Sequence, residues 1–312
     1  MVRYVALDFR GVDAIEQITR GALQIVDRAI HGDLIPPEVI SDDGIVSDWL
    51  GNFRSANTRV RYGTDVAAFR AFTGKPLCQV TVRDVQAFGA SLAHMSPATV
   101  AARLTGVKSL LAQAHRTGQV PYNVGAQVQL PAIKDDLAER ILTEWQVQCL
   151  LSRELNRRNA ALLRLLYGAG LRISEACGLL WRDMKPRDES GQIAVFGKRG
   201  KTRIILLSEQ LWTRLIALRG QCGPDDAVFR SRQGGALNRS QVHRIVKIAA
   251  KRAGLSAEVS AHFLRHSHCS HSLDHGCQIH VVQMTLGHAS LATTTRYTHA
   301  LPSSSSALFV NA

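Results

Sequence analysis

The chain has 312 residues, 46% of them hydrophobic and 20% charged, with six cysteines and a formal net charge of +13. That length accommodates two domains, and the composition excludes a disordered, collagen-like or disulfide-stapled chain. No run approaches 18 consecutive apolar residues and no basic-then-apolar leader opens the chain, so neither a membrane span nor a secretory signal is expected.

The charge is unevenly placed. Residues 131–312 hold 25 Lys/Arg against 14 Asp/Glu, whereas residues 1–130 hold 13 against 11. A basic C-terminal part fits a polyanionic partner, with DNA, RNA and an anionic membrane all still open on charge alone. Cys78, Cys149, Cys177, Cys222, Cys269 and Cys277 contain no C-x-x-C pair. They read as free thiols of a cytoplasmic protein, most of them filling core.

In chain order, residues 1–40 form an N-terminal extension. Ala14 to Ile30 has amphipathic spacing and Pro36-Pro37 ends it, giving a helix that packs on the next domain or touches a neighbouring subunit. Residues 41–122 read as a domain of four helices: Gly44 to Phe53, Ala56 to Phe72, a third capped by Thr81 with Asp84 at N3, and a fourth opened by Ser96-Pro97 and running to about Thr117. Asn57, Thr58, Arg59 and Arg61 open one of these helices, and Thr99, Arg103 and Lys108 lie on another. Each of them suits a phosphate contact or a solvated helix face equally well. Residues 123–131 carry no charge and read as an extended linker that could act as a hinge.

The second domain spans residues 132–300. Helical periodicity runs from Leu137 to Leu151 and from Glu154 to Tyr167, the latter apolar enough to be a central helix that stops at Gly168-Ala169-Gly170. Strands are expected at Gln192 to Phe196 and Thr202 to Leu207, around a turn Gly197-Lys198-Arg199-Gly200-Lys201. A helix from Ser208 to Leu218 and a short strand at Ala227 to Phe229 follow. The basic helix from Asn238 to Arg252 should turn Arg239, Arg244 and Lys247 towards DNA and pack through Val242, Ile245 and Ile248. Residues 301–312 form a tail: Pro302 and a serine run lead to Ala307-Leu308-Phe309-Val310, an apolar tip that docks on a neighbouring or on its own subunit.

The densest chemistry lies just before that tail. His262 and Arg265 share a helix face; His288 follows the helix stop Leu286-Gly287; Tyr297 comes nine residues later. Arginine matches phosphate oxygens, histidine moves protons near neutral pH, and a phenol attacks once its proton is taken. Together they point to phosphoryl transfer from DNA to a protein tyrosine. His271 and His275 have the i,i+4 spacing of two zinc ligands, but no third ligand completes a recognised pattern, and no cofactor is expected.

Four blocks in fixed order carry a resemblance: Gly170-Leu171-Arg172-Ile173-Ser174-Glu175, His262-x-x-Arg265-His266, Leu286-Gly287-His288 and Arg296-Tyr297-Thr298-His299. They resemble the signature of the tyrosine recombinase (phage integrase) family, most nearly its simple two-domain Xer-type members. The resemblance implies a mainly α, two-domain protein: a helical, SAM-like core-binding domain, then an α+β catalytic domain with a small antiparallel sheet. It implies a site-specific recombinase that acts on double-stranded DNA as a homo-tetramer, alone or with a second recombinase subunit, and without metal or ATP. Arg172 and Arg265 would hold the scissile phosphate, Lys198 would protonate the departing 5′-oxygen, and His288 would donate to a nonbridging oxygen. His262 would accept or position the proton of Tyr297, the nucleophile, and His266 would stand beside the catalytic arginine as a structural group. Lys201 and Arg203 would contact phosphates, and Glu175 would orient the site or tie down an arginine. Two other functions stay open: a DNA-binding architectural protein that has kept the fold and lost the reaction, and a relaxing enzyme like the type IB topoisomerases.

Overall fold

The computed structural model describes residues 40–197 and 202–300. The expectations for the N-terminal extension, for Lys198 and Lys201, and for the C-terminal tail therefore lie outside the described residues.

The chain divides into two compact units, at Lys134 and Asp135. In the first, four helices follow one another: α1 (Asp42–Gly51), α2 (Ala56–Thr73), α3 (Val82–Ser91) and α4 (Pro97–Arg116). Each begins on a hydroxyl that accepts a backbone N–H two or three positions into the helix: Ser41, Ser55, Thr81 and Ser96. Such a cap is worth about 1 kcal/mol. At α3 the cap is reciprocal, because the Asp84 carboxylate also accepts the backbone N–H of Thr81. Trp49, Phe69, Val85, Phe88 and Leu110 form the core of this unit. Trp49 stacks on Tyr62 and donates its indole N–H to the Ser109 hydroxyl at 3.1 Å.

The stretch expected as an extended linker departs from that expectation. Val124–Gln127 is a 3-10 turn with Gly125 buried, and Val120 and Val128 on either side are buried in the same core as Leu111. Uncharged valines within reach of an apolar helix face bury themselves rather than stay extended in water.

The second unit is organised around α6 (Arg157–Gly168), in which Leu162, Leu163, Leu165 and Leu166 are fully buried. Burying each such leucine is worth about 1.5–3 kcal/mol. Before it comes α5 (Glu144–Ser152), with a capping box between Thr143 and Gln146. The single helix expected over 137–151 is therefore broken, into a 3-10 turn Ala138–Arg140 and α5. After α6 come α7 (Ile173–Cys177) and a three-stranded antiparallel sheet in the order β1 (Met184–Arg187), β2 (Ser190–Phe196), β3 (Thr202–Leu207). Strand β1 has no counterpart among the expected strands; its pattern Met-Lys-Pro-Arg lacks apolar alternation, and it forms by pairing with β2. Ile193, Val195, Ile205 and Leu207 point into the core, where they meet α8 (Glu209–Ile216).

The stretch Ala227 to Phe229 makes an isolated bridge, Leu180 with Ala227, and no full strand. Next is α9 (Arg239–Arg252), capped by Asn238. Its apolar stripe is Val242, Ile245, Val246, Ala249 and Ala250, whereas Ile248 is 44% exposed. The chain ends its described part with α10 (Ala261–Asp274), α11 (Ile279–Leu286) and α12 (Leu291–Ala300). Helix α10 packs on α6, α11 and α12. The six cysteines are free; Cys269 is buried, Cys149, Cys177, Cys222 and Cys277 pack partly buried against a core, and Cys78 is exposed.

Candidate active site

The centre of the second unit is a set of cations held close together by a carboxylate. Arg172 occupies the N-cap position of α7, and its backbone N–H donates to Glu175 Oε2 at 2.9 Å. The Arg172 guanidinium donates to Glu175 Oε1 at 2.9 Å. Arg203 on β3 grips the same carboxylate with two parallel bonds, at 3.0 and 2.9 Å, and gives its Nε–H to the Thr285 carbonyl at 2.7 Å. Burial pushes the Glu175 carboxyl up, but the hydrogen bonds from Arg203 and Arg172 outweigh it and leave it below the usual carboxylate range. Arg203 is thus a positioning residue. With its side chain 13% exposed, it turns three of its N–H donors to Glu175 and Thr285, where the sequence reading places it on a phosphate.

Arg265 lies on the inner face of α10 and is 6% exposed. It donates to the carbonyl of Gly170 and, at 2.7 Å, to that of Leu286. Burial first, then the neighbouring Arg172 charge, lowers its pKa to about 10, so it stays cationic. Gly170 has φ +58°, and a Cβ there would lie 2.5 Å from Leu286 Cδ2 and 2.7 Å from His268 Cδ2. Only glycine lets the α6–α7 turn come this close to α10 and α11. Gly287 ends α11 at φ +64°, and its carbonyl faces the Arg172 guanidinium at 3.4 Å. His288 follows directly, in keeping with the Leu-Gly stop.

Tyr297 on α12 points inward and is 6% exposed. His288 stacks on it, with ring centroids 6.4 Å apart and planes 13° from parallel, and the His288 Nδ1 is bonded to Thr294 Oγ1 at 2.9 Å. Burial raises the Tyr297 phenol to about 12, partly offset by the positive charges of Arg265 and Arg296. Burial likewise lowers His288 to about 4, with Arg265 and Arg172 adding to the shift. At neutral pH the pocket therefore holds neutral imidazoles and a protonated phenol beside fixed guanidiniums.

The resemblance pairs His262 with Tyr297. The structure instead gives the Tyr297 hydroxyl to His266, whose Nδ1 lies 2.5 Å away. His262, one turn earlier on α10, is exposed, its ring centroid 6.3 Å from that of His266. His266 is therefore more than a structural neighbour of Arg265. Its i,i+4 relation to His262 is the available signal in the sequence, but that spacing does not say which imidazole faces α12. Both line a cavity of about 680 Å³ with Arg140, Ser260 and Phe263. The i,i+4 pair His271 and His275 is divided between other partners: His271 Nδ1 meets the Tyr167 hydroxyl at 2.8 Å and His275 meets Glu144 at 2.8 Å. Among the described residues no group of three or more His, Cys, Asp and Glu could hold a metal ion.

The residues read as DNA contacts fall into two sets. Asn57, Arg59, Arg61, Arg239, Arg244 and Lys247 are exposed, and Thr58 is half-buried. Lys108 is half-buried with its ammonium on the Val128 carbonyl, and Arg103 leans on the buried Asp65 at 3.8 Å. Lys108 therefore ties the 3-10 turn to α4.

A two-unit chain with this buried tyrosine and paired arginines has a defined class. The phage integrase family matches residues 134–304, and the chain belongs to that family, the tyrosine recombinases. Among its relatives, tyrosine recombinase XerD of Shewanella oneidensis is 33% identical over 82% of this chain and 91% of that protein. Tyrosine recombinase XerD of Proteus mirabilis is 35% identical over 84% of this chain and 88% of its own length. The structure of a lambda integrase dimer bound to a COC′ core site shares the fold at 17% identity, with a TM-score of 0.66 over 92% of this chain and 87% of that one.

Proposed function

We propose that this tyrosine recombinase exchanges DNA strands with Tyr297 as nucleophile and Arg172 and Arg265 as the phosphate clamp. The observation that carries this is the convergence, from positions far apart in the chain, of two guanidiniums, the stacked His288 and an inward-facing phenol. Phosphoryl transfer asks the protein mainly for positioning and charge. A phosphodiester between Arg172 and Arg265 has its equatorial oxygens neutralised as charge builds on them. The Tyr297 oxygen forms the new P–O bond, the P–O5′ bond breaks, and the 5′-oxygen leaves as a hydroxyl after taking up a proton. A partner strand's 5′-hydroxyl reverses the step, so the bond energy stays in the phosphotyrosyl link and no ATP is consumed. Lys198 is the proton donor that the family resemblance supplies.

The four-helix unit is read as the SAM-like core-binding domain, which grips a duplex together with the exposed Arg239, Arg244 and Lys247 of α9. The assembly is a homo-tetramer on two duplexes carrying a specific site, in the cytoplasm. A lambda integrase of similar fold forms a tetramer bound to a Holliday junction, and that assembly supports the reading. Among the described residues no helix is long and apolar enough to cross a membrane.

The test is capture of a covalent protein–DNA adduct from a pool of nicked genomic fragments, with sequencing of the captured DNA. One recurrent sequence is expected from the native protein and none from Tyr297→Phe. An adduct surviving in Y297F would place the nucleophile elsewhere.

A further inference from the structure

The Tyr297 phenol has one side-chain partner within hydrogen-bond distance among the described residues, the Nδ1 of His266. We infer that His266, and not His262, takes the Tyr297 proton during strand cleavage, with His262 as the next group on the path to solvent. This rests on Tyr297 being the nucleophile, as proposed above.

The three rings follow one another in the order Tyr297, His266, His262. The Tyr297 and His266 rings lie 5.7 Å apart and inclined by 33°, and the His266 and His262 rings 6.3 Å apart and inclined by 34°. His262 and His266 are four residues apart on α10, so they stack along one face of it. Both histidines line the cavity of about 680 Å³, with Asp136, Glu139 and Glu258, and of the two His262 is the exposed one. A proton reaching His262 is at water. His288 is no rival acceptor at its Nδ1, which is bonded to Thr294.

The electrostatics add a gate. Around His266 stand His262 and Arg265 on α10, Arg140 on the 3-10 turn, and Arg296 and Tyr297 on α12. Burial, then the positive surroundings, holds His266 at about 4, while Tyr297 stands at about 12. Transfer is steeply uphill in the free chain, so the phenol stays protonated. A phosphodiester on Arg172 and Arg265 brings a negative charge beside His266, which raises its affinity for a proton. The base is therefore strengthened by the substrate itself. As the step proceeds, the phenol O–H bond breaks, the proton moves to His266 Nδ1, the phenol oxygen bonds to phosphorus, and the P–O5′ bond breaks. The departing oxygen takes up a proton from a general acid, the role that the family resemblance gives to Lys198.

The decisive variant is His266→Asn, whose amide can keep the contact to Tyr297 but cannot titrate. Single-turnover adduct formation is followed from pH 6 to 9.5 on a nicked suicide duplex carrying the captured site. General-base catalysis is worth roughly 10²–10⁴ in rate. H266N should lose at least about 100-fold and its acid limb, while binding DNA normally in a gel shift. His262→Asn should lose less and keep the limb. H266N with a native rate, or a lowered rate over an unchanged pH profile, would overturn the assignment. If Y297F forms no adduct, such a result leaves the nucleophile standing; an adduct in Y297F would sink both. A second measurement needs no DNA: the ¹⁵N resonance of His266 Nδ1 in the free protein should move on Tyr297→Phe, and an unmoved resonance would refute the contact.

Discussion

Glu175 lets the structure be tested where it makes its most specific demand. Its carboxylate is 6% exposed and accepts four hydrogen bonds, two from Arg172 and two from Arg203. Glu175→Gln keeps the shape but removes the charge, and turns an amide N–H₂ towards arginine donors. Breaking one side of a buried ion pair costs about 3–5 kcal/mol. For a unit of this size each kcal/mol moves the melting temperature by about 2–4 °C, so a fall of about 6–20 °C is expected by calorimetry. Adduct formation on the suicide duplex should fall with it, because Arg172 loses the anchor that aims it. A Glu175/Arg203 double-mutant cycle, with Arg203→Met, should show that the two losses are far from additive. A melting temperature within about 2 °C of native, with a native adduct rate, would refute the claim that Glu175 holds both arginines.

Gly170→Ala should cost about 1–3 kcal/mol, because its Cβ would strike Leu286 and His268 and φ there is positive; chemical denaturation reads this directly, and an unchanged midpoint would count against the close approach. Acid should destabilise the fold between about pH 6.5 and 4. Burial lowers His268 to about 4, so across that window the unfolded chain binds the extra proton and stability rises with pH. For this one group the change is on the order of 3 kcal/mol at most, and His268→Phe should flatten the urea midpoint plotted against pH. Lys108→Met should lower stability and leave the salt dependence of DNA binding unchanged, because the ammonium holds the Val128 carbonyl; a salt slope reduced by about one would show that it meets a phosphate after all.

Much of this protein is legible before folding because its rules are short-ranged. Helix starts at Ser55, Thr81, Ser96 and Asn238 depend on a side chain meeting an N–H two or three residues on. The stop at Gly287 depends on one residue's φ. The order of Arg172, His262, Arg265, His288 and Tyr297 is a property of the chain itself, and it carries the family and the class of reaction. Periodicity also runs out locally. It does not tell a broken 3-10 turn and helix over 138–152 from one helix, and it passes over β1, whose strand character comes from its partner.

What only the tertiary structure decided is where each polar group ends. Arg203 meets Glu175 across 28 residues and Thr285 across 82, His266 meets Tyr297 across 31, and Arg172 meets the Gly287 carbonyl across 115. An arginine on a strand or a second histidine on a helix looks the same in sequence whether it faces a phosphate, a buried carboxylate or a phenol. Burial selects among these, since a charge or hydroxyl withdrawn from water must find a partner. The neighbour that qualifies is set by how α6, α10, α11 and α12 pack, which no local pattern contains.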